Sequence, residues 1–273
     1  MTLIFLLFWF GYTFLFSWLL TDSSITLVNG LIWLGLFIFS FVLSIITLFI
    51  PYIFYGRLGE SDRTMDPKAH RFIDRLVPLI FRLLRIKLHV SGTENILKDN
   101  FIVVANHQSY YEVFAIKHII KQPVVFIAKK AVFDWPVIGH WAKLIGNIPI
   151  TKLADRSAAE AIIKGIKQYK KGAVITIFPE GKRSFSNAMN PMKPGAFKLA
   201  TKPRAPIMVC TVHDFYKTWK GWPFRRNHAH IHFHEPIMPN DYKDLNTVTL
   251  AKQVEEMIQI KINEYENAGR HCL

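Results

Sequence analysis

Residues 101–114 read FIVVANHQSYYEVF and predict a strand that is followed directly by a helix. The first five residues form an unbroken apolar run, which is typical of a strand buried on both faces of a parallel sheet. The residues from about 110 to 120 predict a helix that follows at once. A buried strand that leads directly into a helix is the repeating unit of α/β proteins.

The same alternation continues along the chain from residue 86. Further strands are predicted at 86–90, 124–128, 173–178, 207–212 and 229–233. Further helices are predicted at 195–201, at 248–266, and from Asp155 or Ser157 to about residue 171. The predicted fold class is therefore α/β, with a largely parallel sheet covered by helices on both faces.

Two polar side chains fall at the junction between the first strand and its helix. His107 lies just after the strand, and Glu112 lies five residues on, in the first turn of the helix. The carboxyl ends of parallel strands are where α/β proteins usually carry their sites. The carboxylate of Glu112 can accept the imidazole N–H of His107, which fixes the tautomer and leaves the other nitrogen as a base. The alternative is a histidine near an unrelated surface glutamate.

A second polar junction, FPEGKRS at residues 178–184, follows the apolar run AVITIF. Gly181 permits a close approach of the backbone, and Lys182 and Arg183 can bind an anion, the arginine through its planar fork. Lys129 and Lys130 end the strand VVFIA and offer two more cations. For both segments, the alternative is a solvated stretch of chain with no binding role.

Four histidines alternate near the carboxyl end, at His228, His230, His232 and His234. A strand would carry all four on one face. One straight strand spreads its side chains too widely for a single ion. We therefore predict a polar strand face here and no metal site.

Composition excludes several classes of protein. The chain has 273 residues, of which 34 are Lys or Arg and 20 are Asp or Glu, so its formal net charge is +14. Hydrophobic residues make up 51% of the chain, which excludes a largely disordered protein. Two cysteines, Cys210 and Cys272, exclude a disulfide scaffold and are expected to be free thiols in a reducing compartment.

The amino-terminal 56 residues are almost uncharged. They contain one charged side chain, Asp22, in a polar break between two apolar runs at 1–20 and 25–55. A membrane span needs about 20 apolar residues. We therefore predict a membrane-embedded helical hairpin, with Pro51 expected to end the second helix early. A hairpin buried inside a soluble fold, or one that dips into a single leaflet, is the alternative.

Basic residues follow the second apolar run, at Arg57, Arg63, Lys68 and Arg71. The positive-inside rule then predicts a cell (inner) membrane protein whose body lies on the cytoplasmic face.

Residues 57–85 are predicted to be a basic amphipathic connecting helix, with Phe72, Leu76, Ile80 and Leu84 on one face and a possible kink at Pro78. The helix either lies on anionic lipid or packs on the body with its basic face solvated. Three domains are thus predicted: the hairpin at 1–56, this helix at 57–85, and the α/β body at 86–273.

Together these segments resemble a known family. The His-x4-acid junction, the block KKAVFDWPVIGHWAKLIGNIPI, the pair FPEGKRS and PMKPGAFKLA, and the strand APIMV occur in that order. They look like the four sequence blocks of the glycerophospholipid acyltransferases. The nearest likeness is to the bacterial 1-acylglycerol-3-phosphate acyltransferases, and it covers residues 85–237.

The resemblance implies transfer of an acyl chain to the free hydroxyl of 1-acylglycerol-3-phosphate, which gives phosphatidic acid. His107 would be the general base and Glu112 its orienting group. The residues implied to bind or shape the acceptor are Asn106, Lys129, Lys130, Glu180, Gly181, Lys182 and Arg183.

The resemblance also implies the partners of the protein. The acyl donor would be acyl-CoA or the thioester of acyl carrier protein, used as a co-substrate, with no bound cofactor and no metal. The other partners would be membrane lipids and a lysophospholipid acceptor, with no nucleic acid.

Three positions depart from the family pattern. Glu112 stands where the family usually has Asp, Lys182 where it usually has Thr, and Thr151-Lys152 where it often has Asp-Arg. Related acyltransferases of lipid A assembly carry Glu at the first position. Another lysophospholipid or a lipid A precursor is therefore the alternative acceptor. The non-enzyme alternative is a basic membrane protein that binds anionic lipid or nucleic acid.

The apolar segment at 1–56 predicts an integral membrane protein. We expect neither high salt nor alkaline carbonate to extract the full chain from membranes, because these washes do not weaken the burial of apolar helices in lipid. The measurement is the fraction of protein left in the membrane pellet after each wash. Release by either wash would instead indicate a peripheral hairpin.

Overall fold

The computed structural model describes residues 2–20, 27–58, 65–151, 156–218, 220 and 225–270. The chain divides into two compact units, residues 1–62 and 63–273. Several predictions lie outside the described residues: the polar break with Asp22, and Arg63, Lys152, the Asp155 cap and Cys272. The three-domain boundaries at residues 57 and 86 stay a prediction.

The first unit consists of two helices, α1 at Thr2–Leu20 and α2 at Leu27–Leu58. They pack through aromatic rings, and the Trp9 Nε1 donates a 3.0 Å hydrogen bond to the carbonyl of Phe37. By length and composition, the segment Val28–Thr47 could cross a membrane, whereas the apolar stretch Ile4–Leu20 is shorter. The prediction that Pro51 ends the second helix was wrong, because a proline inside an apolar helix removes one hydrogen bond without stopping the helix.

The second unit is built on a seven-stranded sheet with the order β1-β7-β6-β2-β5-β3-β4. All neighbouring strands are parallel except β6 and β7, which are antiparallel. This confirms the predicted α/β class with a largely parallel sheet. The strands are β1 Ile86–Ser91, β2 Ile102–Ala105, β3 Val124–Lys129, β4 Ile148–Ile150, β5 Val174–Ile177, β6 Ile207–His213 and β7 Asn227–Phe233.

Helices cover both faces of this sheet, as predicted. The side chains of α3 and α4 pack on one face, and those of α7, α8 and α9 pack on the other. The helices are α3 Pro67–Leu83, α4 Tyr111–Ile119, α5 Lys130–Phe133, α6 Ile138–Leu144, α7 Arg156–Tyr169, α8 Lys198–Thr201 and α9 Thr247–Arg270. The predicted helix at 195–201 is instead a 3₁₀ turn, Pro194–Phe197, that leads into the short α8.

Burial explains which strands the sequence revealed. Every residue of β2, β5 and β6 is buried, so these strands are predominantly apolar. Burial alternates along β7, and its histidines all lie on the less buried face. Within the described residues, no three histidine, cysteine or carboxylate side chains are grouped as metal ligands.

The topology brings distant parts of the chain to one edge of the sheet. The parallel strands β2, β3, β5 and β6 all end there, and we call it the carboxyl edge. Because β7 runs antiparallel to β6, β7 begins at this edge, and β1, parallel to β7, begins there too.

Gly92, which follows β1, is expected to be essential for stability. Its φ is +71°, and a Cβ at this position would lie 2.0 Å from the carbonyl oxygen of Phe233. Gly92→Ala should lower the free energy of unfolding by more than the roughly 1–2 kcal/mol of a left-handed alanine. The measurement is thermal unfolding in detergent by circular dichroism.

Gly172→Ala is the matched control for this substitution. Gly172 also has a positive φ, +92°, but nothing lies within 4 Å of its added Cβ. The control should therefore be less destabilised than Gly92→Ala. Equal losses in the two variants would contradict the steric explanation.

Candidate active site

The His107 and Glu112 side chains meet at the carboxyl edge. His107 follows β2, and Glu112 lies in the first turn of α4. The His107 Nδ1 lies 2.8 Å from the Glu112 Oε1. A carboxylate can only accept, so Nδ1 carries the proton and donates it, which leaves Nε2 as the basic nitrogen.

Glu112 is held by hydrogen bonds from the chain segment that precedes α4. Its Oε1 also accepts hydrogen bonds from the backbone N–H groups of Gln108, at 2.7 Å, and Ser109, at 2.6 Å. Its Oε2 accepts from the Ser109 hydroxyl at 2.5 Å. The Ser109 hydroxyl in turn accepts the Tyr111 N–H at 3.0 Å, so Ser109 and Glu112 together close the turn that leads into α4. The same carboxylate starts the helix and orients the imidazole.

The ionisation of Glu112 follows from these contacts. The side chain is fully buried, which by itself would raise its pKa. The hydrogen bonds and charge of His107 and the hydrogen bonds of Ser109 outweigh burial and hold the pKa of Glu112 below its ordinary value. Glu112 is thus a carboxylate at neutral pH.

The imidazole ring is also fixed from one face. The ring of Phe178, which follows β5, stacks on that of His107 with centroids 4.2 Å apart and an angle of 20° between the planes. The His107 side chain keeps 17% of its surface exposed. The ring is therefore held in one plane and remains accessible from the carboxyl edge.

Glu180 connects the two polar junctions. Its Oε1 accepts the His107 backbone N–H at 2.7 Å, and its Oε2 accepts the backbone N–H of Asn190, at 2.7 Å, and its side-chain amide, at 2.9 Å. The His107 carbonyl in turn accepts the Ser184 N–H at 2.8 Å. Burial raises the pKa of Glu180 above its ordinary value, although the hydrogen bonds from Asn190 and His107 act to lower it. Both carboxylate oxygens are engaged, which favours a positioning role over the acceptor contact implied by the sequence.

Asn106 is similarly engaged within the protein. It is 1% exposed. Its amide donates to the Val212 carbonyl at 2.9 Å and accepts the Val212 N–H at 2.8 Å. This pair joins the ends of β2 and β6. The geometry again favours positioning over the substrate contact expected from the sequence.

A side-chain network continues from β2 to the segment after β6. Gln108 donates to the Asn187 Oδ1 at 3.0 Å and accepts the Phe215 N–H at 2.9 Å. Asn187 donates to the Asp214 Oδ1 at 3.0 Å. Asp214 adopts a positive φ of 64°, so this network holds a backbone conformation that aspartate adopts less readily than glycine.

Arg183 lies between two aromatic rings. Its guanidinium carbon is 3.8 Å from the Tyr110 ring centroid and 4.6 Å from that of Phe185. The Tyr110 ring contacts Trp135 edge-on. Stacking leaves the in-plane N–H groups of the guanidinium available for an anion. Tyr110 comes one residue before α4, so Arg183 lies near the start of the helix that carries Glu112.

The remaining predicted cations lie at the same edge. Lys129 and Lys130 are exposed at the end of β3, and Lys182 is exposed beside Arg183. A cavity of about 600 Å³ opens next to Gly181 and Lys182. The structure thus places both Glu112 and Glu180 in contact with His107, and the predicted cations lie at the same edge of the sheet.

Sequence reasoning missed several residues of this site. Ser109 could have been found, because Ser-x-x-Glu is a capping signature. The contacts of Tyr110, Phe178, Asn187 and Asn190 join segments far apart in the sequence, and no local pattern indicates them.

The thiol of Cys210 lies in β6 and is fully buried. Burial raises the pKa of this thiol, so it is not a reactive thiolate. This agrees with the expectation of a free thiol.

Known proteins are similar to this chain in sequence and in fold. A family model described as Acyltransferase matches residues 87–213. The 1-acyl-sn-glycerol-3-phosphate acyltransferase of Escherichia coli is 30% identical over 182 residues, 64% of this chain and 72% of the relative. The chloroplastic enzyme BAT2 of Brassica napus is 32% identical over 147 residues, 53% of this chain and 42% of the relative. The chain spans about half the length of the first curated relatives that it matches.

A solved structure supports the fold. The crystal structure of the 1-acyl-sn-glycerophosphate (LPA) acyltransferase PlsC from Thermotoga maritima matches with a TM-score of 0.64 and 24% identity. The match covers 81% of this chain and 92% of that chain. At this level of identity the likeness concerns the fold alone.

Removal of the Glu180 carboxylate should disturb the site without touching an exposed group. Glu180→Ala leaves the partly buried N–H groups of His107 and Asn190 without their acceptor, at a cost of about 1–3 kcal/mol in stability. We expect a lower thermal unfolding midpoint and reduced turnover. Lys198→Ala, an exposed change on α8, is the control. Wild-type stability and turnover in Glu180→Ala would contradict the positioning role.

Proposed function

This chain belongs to the acyltransferase family, and from this premise we propose that it moves an acyl chain from a thioester to the free hydroxyl of 1-acylglycerol-3-phosphate. The product is phosphatidic acid. The observation that carries the proposal is the 2.8 Å contact between His107 and Glu112 at the carboxyl edge. Family membership argues against the non-enzyme alternative, a protein that only binds lipid or nucleic acid.

The reaction needs a base for the acceptor hydroxyl. Glu112 holds the Nδ1–H of His107, so the Nε2 takes the hydroxyl proton as the oxygen attacks the thioester carbonyl. The tetrahedral intermediate collapses, the carbon–sulfur bond breaks, and the imidazolium returns the proton to the thiolate. Glu112 stabilises the imidazolium between these two steps and does not itself take the proton.

The acceptor phosphate is bound by the cations of the carboxyl edge. Arg183 offers a planar fork fixed between Tyr110 and Phe185, which suits two phosphate oxygens. Lys182, Lys129 and Lys130 are exposed on strands or loops nearby and supply further positive charge.

The acyl donor is acyl-CoA or acyl carrier protein thioester, and no cofactor or metal takes part. The apolar segment at residues 1–56 supports a location in the cell (inner) membrane, and the basic residues that follow it support a body on the cytoplasmic face. There the acceptor and the product remain in the bilayer. Release of the thiol into the cytoplasm completes the exchange.

A product assay tests the proposed function. Purified full-length protein in detergent receives labelled acyl-CoA or acyl carrier protein thioester with a panel of acceptors. The panel contains 1-acylglycerol-3-phosphate, other lysophospholipids and a lipid A precursor. We expect labelled phosphatidic acid from the first acceptor. Acylation of another acceptor alone would change the assigned substrate. The absence of product with every acceptor would contradict the proposed function.

The carboxylate of Glu112 should be needed for turnover. The amide of Glu112→Gln can donate its N–H to the His107 Nδ1, which holds the wrong tautomer with the proton on Nε2, so kcat should fall by about 10²-fold or more. Glu112→Asp keeps the charge and should retain measurable activity.

The exposed change Glu94→Gln is the matched control, because it removes a carboxylate outside the site. Initial rates are measured on variants whose folding is checked by circular dichroism. Near-normal kcat in folded Glu112→Gln would mean that Glu112 only stabilises the start of α4 and does not take part in catalysis.

A further inference from the structure

A second concave site lies on the carboxyl edge, away from His107. It is a cavity of about 410 Å³ between the end of α3 and the starts of β1 and β7. Two apolar residues and four cations line this basic pocket: Phe81, Ile86, Arg82, Arg85, Lys87 and Arg226.

The pocket walls are fixed by the sheet. The Asn227 N–H donates to the Arg85 carbonyl at 3.1 Å, and Ile86 is paired with Asn227 in the parallel ladder of β1 and β7. The Asn227 amide also donates to the carbonyls of Thr218, at 3.2 Å, and Lys220, at 3.1 Å. Cations from residues far apart in sequence are thus held around one concavity.

The pocket concentrates positive charge in a small volume. Across the residues that the structure describes, no carboxylate forms an ion pair with Arg82, Arg85, Lys87 or Arg226. All four side chains are exposed. Like charges held together repel one another, and a bound anion relieves this repulsion.

The surroundings of the pocket favour a lipid over a soluble anion. Leu79 and Leu83 of α3 are 38% and 63% exposed, on the turn that carries Arg82. Elsewhere on the same edge, Trp135 and Phe185 are 40% and 60% exposed. Exposed apolar side chains interleaved with arginines are typical of surfaces that lie in the lipid headgroup region.

The pocket is separate from the site of His107. β1 lies three strands from β2 in the sheet order, which is about 14 Å at the usual strand spacing. Both sites open at the carboxyl edge, so one bilayer surface could reach both.

We propose that the basic pocket binds the phosphate of an anionic phospholipid headgroup at the bilayer surface. The size of the pocket suits one headgroup, and the adjacent leucines contact the first methylenes of its acyl chains. A soluble phosphate would gain nothing from these leucines, and an acidic protein would need a broad surface rather than a small concavity. The proposal stands apart from the acyl-transfer reaction, because no pocket residue contacts His107 or Glu112.

Native mass spectrometry of the full chain in non-ionic detergent tests the proposal. The probes are phosphatidylglycerol and phosphatidylcholine with the same acyl chains. The wild type should retain phosphatidylglycerol in preference. Arg82→Ala with Arg85→Ala should weaken phosphatidylglycerol binding by about 10–30-fold. Lys87→Gln with Arg226→Gln, the other two cations that line the pocket, should act in the same direction.

The matched control is Arg71→Ala with Arg75→Ala, which removes the same charge from exposed positions of α3 outside the pocket. The control should bind phosphatidylglycerol like the wild type, and turnover in neutral detergent should be unchanged in the pocket variants.

Three results would overturn the proposal. The first is an equal loss in the control, which would indicate diffuse helix charge. The second is the absence of a preference for phosphatidylglycerol. The third is displacement of the lipid by millimolar inorganic phosphate, which would indicate a soluble anion site.

Discussion

The buried carboxylate of Glu112 is the group on which the site depends. A buried charge without partners is costly, and here hydrogen bonds from His107, Gln108 and Ser109 compensate it. Three of these bonds come from the turn that starts α4. The local fold of the strand-to-helix junction and the orientation of the imidazole are therefore consequences of the same carboxylate.

The topology of the sheet extends this local arrangement to a whole surface. Five parallel strands, β2 to β6, end at the carboxyl edge, and the antiparallel β7 returns the chain so that β1 also begins there. The edge therefore collects the imidazole after β2, the arginine after β5 and the arginines at the end of α3. Chemistry on a lipid hydroxyl and attachment to an anionic bilayer can share one surface for this reason.

The sequence predicted the parts of the fold that depend on local burial. Predominantly apolar runs revealed β2, β5 and β6, and the spacing of His107 and Glu112 revealed their contact. The short strand β4 and the helices α5 and α6 were missed, because three to seven residues hold too little periodicity to recognise. The burial of the Glu180 side chain was also missed. Its hydrogen-bond partner Asn190 is brought to it by tertiary packing, and neither composition nor residue spacing indicates that contact.

His107 and Glu112 are proposed to act as one base, and a double-mutant cycle on kcat tests this most directly. The cycle compares His107→Ala, Glu112→Gln and the double variant under one set of conditions, each checked for folding. Groups that act as a unit are not additive, so the double variant should be no slower than the slower single variant. Losses that multiply would show two independent contributions and would contradict the paired base.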